Sequence, residues 1–375
     1  MKFAVITHVP HIKKGNQYFG YAPYVRELNI WAKYVDQLLV VAPLVKNDIN
    51  PIHASYLHEN IEFKQVPQFS VTSFKHILGT LINLPFIIFA TYSVMSKADH
   101  IHLRCPGNMG LIGAIVQILF PSKYKTAKYA GNWDPKSKQP LTYKLQRWIL
   151  SNELLTRNMQ VLVYGEWPMQ TKNIKSFFTA TYSELDLLNS GYKIQDSVFK
   201  VPYTFLFVGT LSKGKQPLYA IQLVEQLHLN GIKVKLDFYG DGDLRKELEQ
   251  YIIVHNLENI VELKGNQSMD IVLKAYQNHH FLILPSKSEG WPKVVAEAMF
   301  WGCIPIVTSV SCVPYMLGEG KRGVLLTENK ERDVKAIESL LDVDLALTKM
   351  SRLAQKWSRQ FTTDKFEAEI KKLLK

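Results

Sequence analysis

A chain of 375 residues exceeds one ordinary hydrophobic core and suits two domains of common size. Hydrophobic residues make up 47% and charged residues 21%, which excludes a disordered or fibrous protein. The net charge of +12 is uneven: residues 1–200 hold 22 Lys and Arg against 12 Asp and Glu, which either favours an anionic partner for that half or serves solubility alone.

The N-terminus, MKFAVITHVP, has an apolar run too short for a signal peptide and reads as a buried strand. Short β-branched runs then alternate with helical stretches, the pattern of parallel sheets with helical crossovers. Strands are expected at Phe3–Val9, Gln37–Ala42, Ile61–Val66, His100–Arg104, Lys125–Ala130 and Gln160–Tyr164. Between them, Ile77–Met95 is uncharged and nearly long enough to span a bilayer, but Pro85 interrupts it, so a buried or interface-resting helix is expected. The aperiodic stretch 190–204 is the expected linker. Beyond it, strands are expected at Phe205–Val208, Lys233–Tyr239, Ile260–Lys264, Phe281–Leu284, Ile304–Thr308 and Gly323–Leu326, with helices at Pro217–Asn230 and Asp243–His255. The three cysteines, Cys105, Cys303 and Cys312, are scattered, with no C-x-x-C pair, which suits a reducing compartment and no structural metal.

Chemistry concentrates in FLILPSKSEGWPKVVAEAMFWGCIPIVTS, residues 281–309. A buried strand ends at Pro285, a polar loop carries Glu289 and Gly290, and a helix begins near Pro292. Free amides at a helix start, with the positive end of its dipole, form an anion site. Glu289 and Glu297 would flank it, and ionised carboxylates, being acceptors only, suit sugar hydroxyls rather than phosphate. A second motif, FLFVGTLSKGKQP, reads G-x-x-x-x-G-K over Gly209–Lys215, nearly a phosphate-cradling loop, but Gln216 stands where a Ser or Thr would bind magnesium.

The first of these stretches resembles the retaining glycosyltransferase family 4, also called group 1, in Pro285-Ser286-Lys287-Ser288-Glu289-Gly290-Trp291-Pro292 followed by Glu297-Ala298-Met299 and Gly302-Cys303-Ile304-Pro305. The resemblance covers about residues 203–330 strongly and the rest loosely. It implies the GT-B fold, two Rossmann-like doubly wound domains facing a central cleft, with residues 1–195 binding acceptor, 203–355 binding nucleotide sugar, and a helix in 356–375 returning to the first domain. It also implies donor contacts by Gly209, Thr210, Lys215, Gly265, Asn266, Glu289, Gly290, Trp291, Pro292, Lys293 and Glu297, with Lys215 on the diphosphate, Glu289 on the sugar and Glu297 on the ribose. Thr210 replaces the family's arginine, which Lys213, Lys293 or Arg104 would have to offset. Ser311-Cys312-Val313-Pro314-Tyr315 departs from Gly-Gly-Val-Pro-Glu.

In the first half the resemblance implies a glycine-rich loop over His11–Tyr24, where only Gly20 keeps the role, with Gly15 further away, and a sugar-touching group at Asn132 or Asp134. The catalytic set so implied is Glu289, Lys215 and Asn132; Gly20, Tyr21 and Arg104 are acceptor or phosphate candidates. The expected activity is transfer of a sugar from a UDP- or GDP-linked donor to a glycan or lipid-diphosphate-linked glycan, with retention, no metal and no nucleic acid. The expected location is cytoplasmic, peripheral to the inner membrane face. The alternatives are a nucleotide-sugar epimerase of the same fold and a P-loop-like nucleotide-binding protein.

Overall fold

A computed structural model describes residues 1–50, 52–68, 74–168, 170–190 and 199–374. Each expected strand is present, and two compact units result: Met1–Phe178 with Phe366–Lys375, and Thr179–Lys365. Thr179–Asn189 therefore belongs to the second unit, ahead of the aperiodic stretch read as linker, whose residues 191–198 lie outside the described residues.

The first unit runs β1 (Lys2–Ile6), β2 (Ile12–Lys14), β3 (Gln17–Tyr21), α1 (Ala22–Ala32), β4 (Gln37–Pro43), β5 (His53–Ser55), β6 (Ile61–Val66), α2 (Phe74–Lys97), β7 (His100–Cys105), α3 (Asn108–Val116), β8 (Tyr124–Tyr129), α4 (Leu141–Leu150), β9 (Met159–Tyr164) and β10 (Ile174–Phe177). Its seven-stranded sheet is parallel, in the order β10-β9-β8-β7-β1-β4-β6. Strand alternation decides the two faces. Ala4, Ile6, Leu39, Val41, Ile101 and Leu103 pack under Ile87, Ala90 and Val94 of α2, Met109 and Ile112 of α3 and Ile149 of α4. On the other face Phe3 stacks on Trp31 of α1, 5.6 Å between ring centres.

Two local expectations are corrected. Pro85 does not interrupt its segment; it lies inside α2, a 24-residue helix. An internal proline costs roughly 3 kcal/mol, and burial of Ile87, Ala90, Val94 and Met95 offsets it. Among the described residues no helix is long and apolar enough to cross a membrane. The segment read as a glycine-rich loop, His11–Tyr24, is instead a β-hairpin: β2 pairs antiparallel with β3, which pairs with β5. A two-residue turn at Gly15-Asn16 joins them, with Gly15 at φ +59°, as hairpin twist demands. Tyr18 then stacks on Phe63 at 4.6 Å.

Three buried histidines give this unit an acid-labile core. His11 bonds the Tyr56 hydroxyl at 2.7 Å, and Thr126 Oγ1 lies 3.0 Å from His100 and 2.8 Å from His102. Burial pushes His11 and His100 down to about 4 and His102 to about 3, from 6.5. A lowered folded-state value means the unfolded chain takes up protons first, so stability is full above pH 6.5 and falls as pH drops from 6.5 towards 4 and 3. In the second unit His280 is also held down to about 4 by burial and by His279. Calorimetry across this range is expected to show the first unit's transition falling faster; parallel shifts of both units would contradict it.

The second unit contains α5 (Glu184–Asn189), β11 (Tyr203–Val208), α6 (Pro217–Leu229), β12 (Val234–Tyr239), α7 (Arg245–Val254), β13 (Val261–Leu263), α8 (Met269–Asn278), β14 (Phe281–Leu284), α9 (Lys293–Trp301), β15 (Ile304–Thr308), α10 (Val313–Leu317), β16 (Val324–Leu326), α11 (Lys330–Leu341) and α12 (Asp344–Ser358). Its sheet is parallel, in the order β13-β12-β11-β14-β15-β16. The last helix, α13 (Thr363–Leu373), carries Phe366 into the first unit's core, 5.5 Å from Phe177 and 5.8 Å from Phe178 by ring centres.

Candidate functional site

In the second sheet the strand order reverses between β11 and β14. Ligands of open α/β sheets bind where the carboxyl ends of strands diverge at such a reversal. The loop after β11 carries Lys215 and the loop after β14 carries Glu289, and there the two side chains meet, Nζ to Oε1 2.5 Å. Glu289 is nearly buried, with 8% of its side chain exposed, and Lys215 keeps 30%. The Lys287 amide donates to the Gly214 carbonyl at 2.9 Å and Gln216 Nε2 to the Pro285 carbonyl at 2.8 Å, so backbone as well as charge ties the loops together.

Gln216 sits at φ +52°, ψ +50° as N-cap of α6, a left-handed conformation that favours glycine. Its amide compensates by bonding Pro285 and Glu328 Oε1, the latter at 2.6 Å. The amides of Lys215 and Gln216 point back to the Ser212 carbonyl at 3.0 and 3.2 Å. The Gly209–Lys215 loop thus closes on itself as a turn, which disfavours the phosphate-cradle reading, since those donors are spent internally.

Helix α9 begins after Pro292, an N-cap residue that makes no side-chain capping bond. Its positive dipole end therefore opens beside Glu289 and Gly290. The carbonyl of Gly290 is fixed from outside: Ser311 Oγ donates to it at 3.2 Å and Cys312 Sγ at 3.0 Å. This is the structural content of the Ser311-Cys312 departure noted in the sequence. Burial raises the Cys312 thiol to about 12 and the Cys105 thiol likewise, while Cys303 rises well above its usual value. All three are buried and protonated at neutral pH. Trp291 packs away from solvent, its ring stacked on Trp357 of α12 at 6.0 Å and edge-on to Phe361 at 5.7 Å.

Glu297 is the fifth residue of α9 and faces other partners than Glu289. Its Oε1 accepts from Thr181 Oγ1 at 2.6 Å and its Oε2 from the Tyr276 hydroxyl at 3.0 Å. With Lys293, Thr181 and Tyr182 it lines a cavity of only about 10 Å³. Sequence reasoning missed Thr181 and Tyr276. Neither carries a local signal: Thr181 precedes α5, Tyr276 lies on α8, and only the fold brings them to α9.

The remaining donor candidates lie at the carboxyl ends of neighbouring strands. Gly209 and Gly240 approach so closely that a β-carbon on Gly240 would stand 1.9 Å from the Gly209 carbonyl oxygen. The Gly240 amide donates to the Gly265 carbonyl and the Leu211 amide to the Asp241 carbonyl, at 2.9 and 3.0 Å. The strand ends of β11, β12 and β13 are thus laced into one rim bearing Gly209, Thr210, Gly265 and Asn266; Thr210 and Asn266 are exposed on it. Among the described residues no group of three or more His, Cys, Asp or Glu could hold a metal ion.

In the first unit Arg104 is not a free cation at a strand end. Its Nη1 lies 3.2 Å from Glu27, and its guanidinium sits over the Tyr24 ring at 5.6 Å. Gly20 lies within β3, where a β-carbon would meet Val25 and His11 at 3.1 and 3.4 Å, and Tyr21 is half exposed beside it. Asn132 Oδ1 accepts from the Asp134 amide at 2.8 Å, closing the loop after β8.

Comparison with known proteins bears mainly on the second unit. Residues 193–357 match the family model for glycosyl transferases, group 1. An uncharacterised glycosyltransferase of Methanocaldococcus jannaschii is 29% identical over 174 residues, 46% of this chain and 48% of that protein. The putative colanic acid biosynthesis glycosyltransferase WcaL of Escherichia coli is 28% identical over 183 residues, 46% of this chain and 45% of that one. The chain thus spans about half the length of these curated relatives. Among solved structures, Anabaena HepE in complex with UDP-glucose superposes with a TM-score of 0.67 at 16% identity, covering 100% of this chain and 99% of that one. The fold is GT-B.

Proposed function

We propose that this protein is a glycosyltransferase that moves a sugar from a nucleoside diphosphate to a hydroxyl of a glycan or lipid-linked glycan in polysaccharide assembly. One observation carries the reading: Lys215 and Glu289 face each other at the strand reversal, beside the start of α9, in the unit that matches the group 1 family. Lys215 and the α9 amides suit a diphosphate, and the Glu289 carboxylate, an acceptor only, suits sugar hydroxyls. Glu297, already aligned by Thr181 and Tyr276, is assigned to the ribose hydroxyls.

On this reading the donor loses its diphosphate while Lys215 and the helix start stabilise the charge developing on the leaving oxygen. The acceptor hydroxyl attacks from the same side, its proton passing to that oxygen, so configuration is retained. Lysine and amides do the neutralising without a metal. Asn132, Gly20 and Tyr21 remain the candidates for contacting sugar and acceptor from the first unit. A UDP donor is favoured because HepE, of the same fold, was solved with UDP-glucose. The acceptor is assigned to a lipid diphosphate at an anionic membrane because the first half is basic.

Scanning fluorimetry with UDP, GDP and ADP is the direct test. A nucleotide present at about a hundred times its Kd stabilises its unit by about 2.7 kcal/mol, a readily visible shift. The proposal expects such a shift with UDP or GDP, and acceptor-dependent release of the nucleotide from its sugar conjugate. Turnover of donor without acceptor would favour an epimerase, and no shift with any of the three would sink the site.

A further inference from the structure

Ligands of open α/β sheets gather at the carboxyl ends of the strands, and Asn132, in the loop after β8, follows that rule. A cavity of about 410 Å³ lies at the other rim of the first sheet, by the amino ends of β7, β8 and β9. The proposed transfer has no use for it. Its volume falls within the range of small-molecule sites, about 300–1,000 Å³. Every residue lining it belongs to the first unit, including Lys372 and Leu373 at the end of α13.

Cations and uncharged polar groups share the wall. Arg157, before β9, and Lys172, before β10, are exposed, and among the described residues neither side chain makes a hydrogen bond or ion pair. Lys372 joins them, its ammonium 2.6 Å from Glu369. Glu153 is the one carboxylate in the lining, and its Oε1 accepts from the Lys172 amide at 2.8 Å. Exposed lysines and arginines alone are ordinary. A buried polar atom without a partner is not, and this cavity has one. His100, only 1% exposed, lines it; Nε2 lies 3.0 Å from Thr126 Oγ1, and Nδ1 has no partner.

These groups define the chemistry of an occupant. Burial holds His100 down to about 4, so its ring is neutral and each nitrogen is either a donor or an acceptor. A hydroxyl satisfies Nδ1 in both tautomers because it donates and accepts, whereas a bare anion satisfies only one. Glu153, an acceptor only, also suits hydroxyls. Three cations against one carboxylate suit a dianion, and the guanidinium fork of Arg157 matches phosphate oxygens. A small molecule that joins hydroxyls to a phosphate is a sugar phosphate.

We propose that this cavity is a binding site for a soluble sugar phosphate, with Arg157, Lys172 and Lys372 on the phosphate and Glu153 and His100 on the sugar hydroxyls. Lys372 belongs to α13, so the ligand also ties the end of that helix to the sheet it returns to. The site does not rest on the transfer reading, because its residues belong to a different unit from Lys215 and Glu289.

The test is titration calorimetry of the full chain with glucose 6-phosphate, mannose 6-phosphate and N-acetylglucosamine 6-phosphate, each in the presence of saturating UDP. Glucose and inorganic phosphate serve as the two half-ligands. Wild type is expected to bind at least one hexose phosphate, more tightly than inorganic phosphate, and not to bind glucose. R157A/K172A is expected to bind the same hexose phosphate at least about tenfold more weakly, since two charge-assisted contacts are lost. Its melting temperature and its affinity for UDP should match wild type, because neither side chain has a partner in the free protein. Failure of both proteins to bind UDP would count against the proposed function and leave this inference standing. Three results would overturn the inference: no wild-type binding of any of the three hexose phosphates, equal binding by wild type and R157A/K172A, or inorganic phosphate bound as tightly as its sugar esters. If R157A/K172A melts lower than wild type, R157Q alone must still weaken binding.

Discussion

Lys215→Ala is expected to lower kcat/KM by about 10²–10³, the usual cost of removing one group that stabilises charge only as it develops. Glu289→Gln should lower turnover by a similar order, yet the two substitutions should part company in nucleotide binding. In the free protein Lys215 is held by Glu289 at 2.5 Å. A diphosphate must compete with that carboxylate for the ammonium, so Glu289→Gln releases Lys215 and should leave UDP affinity equal or tighter. Lys215→Ala removes the cation and leaves the carboxylate facing the phosphates, so UDP affinity should fall. Titration calorimetry with UDP, beside steady-state kinetics with the sugar conjugate, separates them. Equal loss of UDP binding in both would remove Glu289 from the sugar and return it to a structural role.

Glu27→Ala is expected to cost the first unit about 3–5 kcal/mol, the range for stripping the partner from buried charge, out of a total stability of only about 5–15 kcal/mol for a domain. Glu27 lies on α1 with 9% of its side chain exposed, and it is paired with Lys128 at 2.8 Å and Arg104 at 3.2 Å. Lys128 is 1% exposed, and its ammonium lies over the rings of Tyr164, Phe177 and Phe366 at 5.5, 5.6 and 5.0 Å. Removing Glu27 takes from both cations the carboxylate they share in that interior. Phe366 belongs to the returning C-terminal segment, so proteolysis near residue 363 should accelerate as well. Lys128→Met added to Glu27→Ala should recover part of the loss, because an apolar side chain of similar length needs no counter-charge. Denaturation of the single and double variants checks this; a cost below about 1 kcal/mol for Glu27→Ala would mean water already reaches the cluster.

The hydrophobic patterning of the chain placed every parallel strand of the two sheets except β10, because a strand buried on both faces is written as a continuous β-branched run, whereas β10 is a four-residue edge strand only partly buried. The hairpin β2–β3 was missed although Gly15-Asn16 sits between its short arms. Those arms are three and five residues long and mix lysine with aromatics, and only docking of Tyr18 on Phe63 gives them a face to bury. Pro85 misled for the same reason: its local cost is real, but the sheet beneath α2 outweighs it.

At the candidate site, Glu289, Gly290 and Lys215 were legible because their loops follow strands whose ends the sequence marks with Pro285 and Gly209. Their partners were not. Thr181, Tyr276, Ser311 and Glu27 are ordinary residues with no spacing rule linking them to what they touch, and Arg104, read as an acceptor or phosphate candidate, is paired with a carboxylate 77 positions earlier. By itself the sequence determined most of the parallel strands of the two sheets and where the loops at their ends carry charge. Only the tertiary structure decided which charges are paired, which are buried and which apolar side chains face outward. Periodicity is a property of neighbours along the chain, whereas pairing and burial depend on distances that exist only once the sheets have formed.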